Sequence, residues 1–283
     1  MNFLDLYSDN ISDYSEWIDP DVAENINRAY YRGLAAHDVY DDSLKALMIW
    51  ELKSLEEEEE DTEAEIAWIY SETPGVVDPL IREYENVIRT NEVKRSFFES
   101  TKIDQDTADA LEDCSFSVSS VESGSLRIPL KEFIDLPFAK KKAPAYVQNI
   151  GSLDGMEFCQ GIMNLLCRTE VISVEDLSYL PKDWFDQNIS CCIKTDGKVN
   201  SFLLIHVCPS GVLMPVLFFA VGADYRQNLL EMMRFSIREA ARRHAGDTPV
   251  LIRRRTKEVT MLMSKLFPEK KGAPAFAGDR KEG

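Results

Sequence analysis

The sequence predicts an α+β protein, an α/β/α-layered unit on a mixed, mostly antiparallel sheet, present twice in tandem. Three observations lead there. Val199–Phe267 opens with two apolar runs, Val199–Val207 and Val212–Val221, joined through Cys-Pro-Ser-Gly, the signature of a β-hairpin. A long helical pattern, a strand and a second helix follow. The same order of hairpin, turn, helix, strand and helix occurs about 150 residues earlier, an offset of domain size and not of a stacked repeat.

Taken in order, Asp19-Pro20-Asp21 starts a helix running to Tyr31, with Asp19 as its cap and Pro20 at its first position. Leu44–Leu52 is a buried strand and Ala64–Tyr70 the next one. Between them the six acids Glu56–Asp61 read as a solvated hairpin tip, because consecutive acids on an extended chain diverge and do not converge on a cation. Ser71–Gly75 is a turn. Val76–Arg89 is a helix with Leu80, Ile81, Tyr84, Val87 and Ile88 on one face. Asn91–Glu99 returns as a strand, Asp104–Asp113 is a short helix, and Phe116–Val121 with Ser125–Leu130 forms a closing hairpin about Glu-Ser-Gly.

Phe133–Pro144 carries two prolines and three lysines and reads as the connection, which divides the chain into 1–136, a linker 137–146 and 147–283. The second part opens with a helix near Leu153–Leu166 and an irregular stretch around Tyr179-Leu180-Pro181. A strand, Ile189–Lys194, meets Val199 through the tight Asp196-Gly197 turn. The long helix then presents Leu229, Met233, Ile237 and Ala241, widened by Leu230 and Ala240. Arg242, Arg243 and His244 suit its negative end, and Gly246 stops it. Pro249–Arg254 is a strand and Thr256–Leu266 the last helix.

The chain has 283 residues and a formal charge of −17. Residues 1–135 hold 33 acidic and 11 basic side chains, whereas 136–283 hold 16 and 21. The acidic total argues against nucleic acid as partner, and the asymmetry marks two separate units. No apolar run reaches transmembrane length, and the acidic start lacks a signal-peptide layout, so neither a membrane nor export is expected and the cytoplasm is. The six cysteines show no metal spacing and read as reduced packing residues. Cys191 and Cys192 are neighbours on a strand and point to opposite faces.

Particular residues carry a family resemblance. Leu217–Arg226 (LFFAVGADYR) followed by Leu229-Leu230 resembles the central strand, Val-x-Pro-x-x-Arg turn and Leu-Leu helix start of the GCN5-related N-acetyltransferases. Ala64–Leu80 occupies the same place in the first unit, and Ala110–Phe116 (ALEDCSF) resembles that family's late Leu-x-x-x-Gly-Phe element, with Ser115 where Gly is usual. The resemblance covers about nine-tenths of the chain and implies two tandem acyl-CoA N-acyltransferase-like domains. It implies acetyl-CoA as cofactor, a small-molecule or peptide amine as acceptor, and direct attack of that amine on the thioester with no covalent enzyme intermediate. It places the pyrophosphate on Val221, Gly222, Tyr225, Arg226, Gln227 and Asn228, at the positive end of a helix. It makes Glu65, on the first unit's central strand, the candidate general base.

The sequence departs from that pattern. After Arg226 come Gln227, Asn228 and Leu229-Leu230, so both glycines of the usual phosphate cradle are absent, and the first unit keeps only Gly75 and no arginine. The last helices, Lys102–Leu111 and Thr256–Leu266, lack the expected tyrosine. A second reading follows from these losses, a non-catalytic descendant that binds a ligand or protein through the old clefts. Arg253, Arg254, Arg255 and Lys257 form a basic strand end near where an adenosine phosphate would lie. His206 reads as a hydrogen-bonded packing residue, and His37 and His244 as surface residues.

Overall fold

In a computed structural model the chain is described over residues 1–28, 30–54, 62–166, 180–254 and 256–282. In chain order the elements are β1 (Asn2–Asp5), α1 (Pro20–Ala23), β2 (Tyr31–His37), β3 (Leu44–Ser54), β4 (Thr62–Ser71), α2 (Val77–Arg89), β5 (Val93–Ser100), α3 (Gln105–Asp113), β6 (Ser117–Glu122) and β7 (Ser125–Pro129). Then come α4 (Leu130–Asp135), β8 (Val147–Asn149), α5 (Gly155–Leu166), β9 (Cys191–Thr195), β10 (Lys198–Val207), β11 (Leu213–Ala220), α6 (Tyr225–Arg243), β12 (Pro249–Arg253), α7 (Lys257–Leu266) and β13 (Pro274–Lys281). The acidic run Glu56–Asp61, Tyr179 and Arg255 lie outside the described residues.

Two compact units result. Unit 1 is Met1–Ser123 with Lys271–Gly283, and unit 2 is Gly124–Lys270. The sheet of unit 1 runs β1-β2-β3-β4-β5-β13-β6 and that of unit 2 runs β7-β12-β11-β10-β9-β8. Ladders are antiparallel except β4 with β5 and β11 with β12.

The closing hairpin expected at Phe116–Leu130 does not form. β6 pairs with β13, from Glu122↔Pro274 to Ser117↔Asp279, whereas β7 pairs with β12, from Ser125↔Arg253 to Pro129↔Pro249. The chain therefore changes unit at Ser123/Gly124, ahead of the anticipated 137–146 linker, which lies within unit 2. The last strand is an element of the first unit. Arg280 fixes it there: its guanidinium is 8% exposed, bonds Glu85 at 2.8 Å and the Cys114 carbonyl at 3.0 Å, and stacks on Phe116. Gly278 permits the close approach, since a Cβ there would lie 2.6 Å from the Phe98 ring.

Each sheet is apolar on both faces, which accounts for the run-like strands. In unit 1 one face packs Trp50, Ile66 and Phe98 on α2 and α3 through Leu80, Ile81, Tyr84 and Leu111. Trp50 and Tyr84 meet edge to face at 5.0 Å, and the Tyr84 hydroxyl is satisfied by Ser96 at 2.7 Å. Burying such a ring stabilises the unit by about 2 kcal/mol. The other face carries Leu6, Tyr14, Ile18 and Ile26 of the N-terminal segment against Leu47 and Ile49. In unit 2 one face packs on α4, α6 and α7, and the other on α5 through Phe158, Ile162 and Leu165. Cys191 falls in the first of these clusters and Cys192 in the second, so the adjacent cysteines do face opposite ways.

Three local expectations change. Asp19 caps a helix, accepting from the Asp21 N–H at 3.0 Å, but that helix ends at Ala23, a 3-10 turn follows, and Tyr31–His37 is strand β2. On α6 the buried residues are Glu231, Met232, Arg234, Ser236, Ile237 and Ala240, with Leu229 and Met233 partly buried and Ala241 exposed. Glu231 and Arg234 are admitted because they pair with each other, and Arg234 Nε also donates to the Phe138 carbonyl at 3.0 Å. The Asp196-Gly197 turn forms as expected, with positive φ of 53° and 75°.

Candidate functional site

In both units the central strand parts from its parallel neighbour. β11 and β12 are in register only at Leu213↔Val250, so β11 from Met214 to Ala220 keeps β10 on one edge and no β12 partner on the other. β4 pairs with β5 from Thr62 to Ile66 and then runs free of it to Ser71. Each central strand also carries a register shift against its hairpin partner, between Leu204 and Ile205 and between Ile49 and Trp50. Such irregularities re-aim a strand and accumulate beside sites. Pro215 sits at the first of them, where a missing N–H is tolerated.

The turn out of β11 holds the six residues expected at the cofactor's phosphates. Val221 N–H is occupied, donating to the Asn200 carbonyl at 3.1 Å. Gly222 has φ of +100°, a conformation that glycine enters without strain, and a Cβ there would meet no atom. Tyr225 N–H bonds the Gly222 carbonyl at 3.3 Å, and α6 begins. Asp224 stands at the cap position, yet its carboxylate bonds none of the first-turn N–H groups, and that turn contains no acid. Arg226 is exposed and lies against Tyr225, with its Nε 2.9 Å from the hydroxyl. Gln227, itself exposed, donates to Glu231, and Asn228 continues the helix, its N–H bonding the Asp224 carbonyl. A 19-residue helix, a first turn free of acids and an arginine in that turn fit an anion.

Beside Val221 lies a cavity of about 270 Å³ lined by Asn164, Leu165, Thr195, Asp196, Lys198 and Asn200. Tyr146 stands near α6, where burial first, then the Glu231 and Asp224 carboxylates, hold its phenol above the ordinary range. Arg254 is committed to structure: its N–H and Nε both donate to the Gly124 carbonyl. Arg253 and Lys257 are exposed.

The corresponding turn of unit 1 differs. Pro74–Val76 is a 3-10 turn, Gly75 has no positive φ and its missing Cβ faces open space. Val77, at the start of α2, is fully buried. Asp78 and Pro79 follow, so the first turn carries a negative charge and lacks one N–H. That helix start does not fit an anion.

Glu65 lies on β4, paired across the ladder with Glu51, and Lys53 bridges the two carboxylates. Glu51 also accepts from Tyr31 at 3.0 Å, and Lys53 stands 5.5 Å from the Phe97 ring. Glu65 is thus ion-paired, and it belongs to a different unit from the Val221–Asn228 turn.

Sequence reasoning passed over one constellation. His37, read as a surface residue, has a side chain only 12% exposed. Its Nε2 meets the Tyr14 hydroxyl at 3.0 Å and its Nδ1 the Asp42 carbonyl at 2.8 Å, at the edge of a cleft of about 600 Å³ that Asp13 and Trp17 also line. The signal available was Asp41-Asp42-Ser43 as a turn after β2, but the β2 reading was itself missing. His206 is the packing residue expected, stacked on Trp184 at 3.7 Å and bonded to its carbonyl at 2.8 Å.

No protein-family profile matches this sequence, and no curated relative does. Solved structures match its fold. A tandem GNAT protein from the clavulanic acid biosynthesis pathway aligns over 100% of this chain and 98% of its own, with a TM-score of 0.62 and 8% identity. N-myristoyltransferase from Saccharomyces cerevisiae aligns over 99% of this chain and 72% of its own, with a TM-score of 0.54 and 12% identity. A conserved protein of unknown function from Enterococcus faecalis V583 aligns over 99% and 72%, at 0.55 and 9%. The fold is therefore that of the GCN5-related N-acetyltransferases. It is the tandem form of that fold, with both units present in one chain.

Proposed function

We propose that the protein is an acyl-CoA-dependent N-acyltransferase whose cofactor site is the β11–α6 turn of unit 2. The observation that carries this reading is the joint presence, among the described residues, of a β11 edge without a β12 partner beyond Leu213 and a first helical turn that bears Arg226 and no acid. Residues Gly222, Tyr225, Arg226, Gln227 and Asn228 would hold the pyrophosphate, Arg226 supplying by charge what the absent glycines would have supplied by backbone. The open edge of β11 would pair with the amide-bearing arm of the cofactor. The N-myristoyltransferase neighbour was solved with bound myristoyl-CoA, so a protein of this fold binds an acyl-CoA.

Acetyl-CoA is the proposed donor and a small-molecule or peptide amine the acceptor. Once bound, the thioester supplies an activated acyl carbon. The protein's part is to orient the amine, exclude water and accept its proton. Glu65, in the other unit and ion-paired with Lys53, is given no part at this site. A cytoplasmic location goes with this proposal; no helix among the described residues is long and apolar enough to cross a membrane.

Loss of the glycines in both turns supports a rival reading, a binding module without transfer. Titration of the protein and its Arg226→Glu variant with acetyl-CoA separates the two. Micromolar binding, about −8 kcal/mol, that the variant abolishes while its Tm holds supports a working cofactor site. Absence of binding at millimolar ligand retires the transferase.

A further inference from the structure

The outward face of α5 in unit 2 carries sulfur. The helical period sends Phe158, Ile162 and Leu165 into the core, with Phe158 edge to face on Phe202 at 5.6 Å. Gly161 lets the helix sit close, since a Cβ there would lie 2.8 Å from the Phe202 ring. The same period turns Met156, Cys159 and Met163 to solvent: Met156 is 73% exposed, Met163 51%, and Cys159 is exposed as well. Spacings of three and four residues place them one above another on a single stripe, with neighbouring Cβ atoms about 5–6 Å apart. Cys159 is thus not the packing residue expected, and a metal spacing that is missing among the cysteines alone is present once the methionines are counted. The other described cysteines are buried or half-buried. Glu157, beside the stripe, is engaged by Lys194 at 2.7 Å.

We propose that Met156, Cys159 and Met163 form a binding site for a soft monovalent metal ion, Cu(I), with the Cys159 thiolate between two thioethers. Thiolate and thioether sulfur select Cu(I), whereas Zn(II) takes thiolate, imidazole or carboxylate, and calcium and magnesium take oxygen. Helical side chains lean toward the N-terminus, which lays Met163 back over Cys159, and the three rotatable bonds of a methionine let Met156 reach the same ion. Binding breaks the S–H bond of Cys159, forms an S–Cu bond and hands the proton to solvent, so copper stays Cu(I) and no electron moves. The stripe lies on the side of the unit 2 sheet opposite α6, so the site is independent of the acyl-transfer reading.

The test is anaerobic titration of the full chain with Cu(I) held by the coloured chelator ferrozine, followed by loss of the chelate's absorbance. The protein should withdraw the metal into a site that Cys159→Ser abolishes. Met156→Leu with Met163→Leu keeps volume on an exposed face, so the fold is retained. That double variant should bind Cu(I) at least about tenfold more weakly, since disturbing the mere support of a ligand already costs that much. Zn(II), titrated in parallel, should not distinguish the double variant from the parent, because thioethers are poor ligands for it. Cu(I) binding untouched by the paired methionine substitution would reduce the site to a lone thiol, and binding retained in Cys159→Ser would put the metal elsewhere. Either result, or no transfer from the chelator, overturns the proposal.

Discussion

Units 1 and 2 share an order of elements and differ where the central strand turns into its helix. In unit 1 that turn is a 3-10 segment leading to a buried Val77, with Asp78 and Pro79 in the first helical turn. In unit 2 it passes through Gly222 at φ +100° into an exposed helix start whose first turn bears Arg226 and no acid. The splayed strands survive in both. What diverged is the handful of groups that decide whether an anion is welcome. The retained scaffold therefore says nothing by itself about chemistry, and the two turns can be changed separately.

The largest effect tests what makes unit 1 a unit. Deleting residues 274–283 removes β13 from between β5 and β6 and leaves Glu85 without Arg280. Calorimetry should show the unit 1 transition lost, a penalty comparable to a domain's whole stability of about 5 kcal/mol or more, with the unit 2 transition kept. Next come the close-approach glycines. Gly278→Ala drives a Cβ to 2.6 Å from Phe98 in unit 1, and Gly161→Ala to 2.8 Å from Phe202 in unit 2; denaturant unfolding should show each to cost about 1–3 kcal/mol.

Smaller still is the difference between the two turns. Gly222→Ala should cost about 1 kcal/mol because of its positive φ, whereas Gly75→Ala should be neutral or stabilise by about 0.5 kcal/mol. Equal responses would erase the distinction drawn between the turns. The smallest effect is alkaline. Burial, ahead of any charge, pushes the Cys192 thiol up from 9.0 to about 11. The folded state therefore retains a proton that the unfolded chain loses, so stability is intact below pH 9 and falls as pH rises toward about 11. Unfolding measured across that range should show this slope in unit 2, reduced in Cys192→Ala but not abolished, because burial also raises the Cys191 thiol.

Periodicity and turn chemistry made most elements legible. Asp196-Gly197, the helices expected at Asp104–Asp113 and Thr256–Leu266 and the α2 stripe all formed, with Asp104 and Thr256 standing as caps just ahead of their helices. Strand pairing was not legible at β6 and β7. Both alternate, and Glu-Ser-Gly between them is a good hairpin turn; their true partners lie more than a hundred residues away, and only the assembled sheets select them. β2 was hidden because Tyr-Arg-Gly-Leu-Ala-Ala-His lacks β-branched residues and owes its conformation to β1 and β3. Glu231 and Arg234 were hidden for another reason: charge on a helix reads as solvated unless its partner, here the Phe138 carbonyl, is known. Of the site, the turn residues were found through resemblance, while the Tyr14–His37 pair needed the fold.

The most direct test of the central claim, that the cofactor site belongs to unit 2 alone, is hydrogen–deuterium exchange with and without saturating acetyl-CoA. The account predicts protection at residues 214–228, along β11 and its turn, and no change at 67–78. Protection at 67–78, or none at either turn, would contradict it.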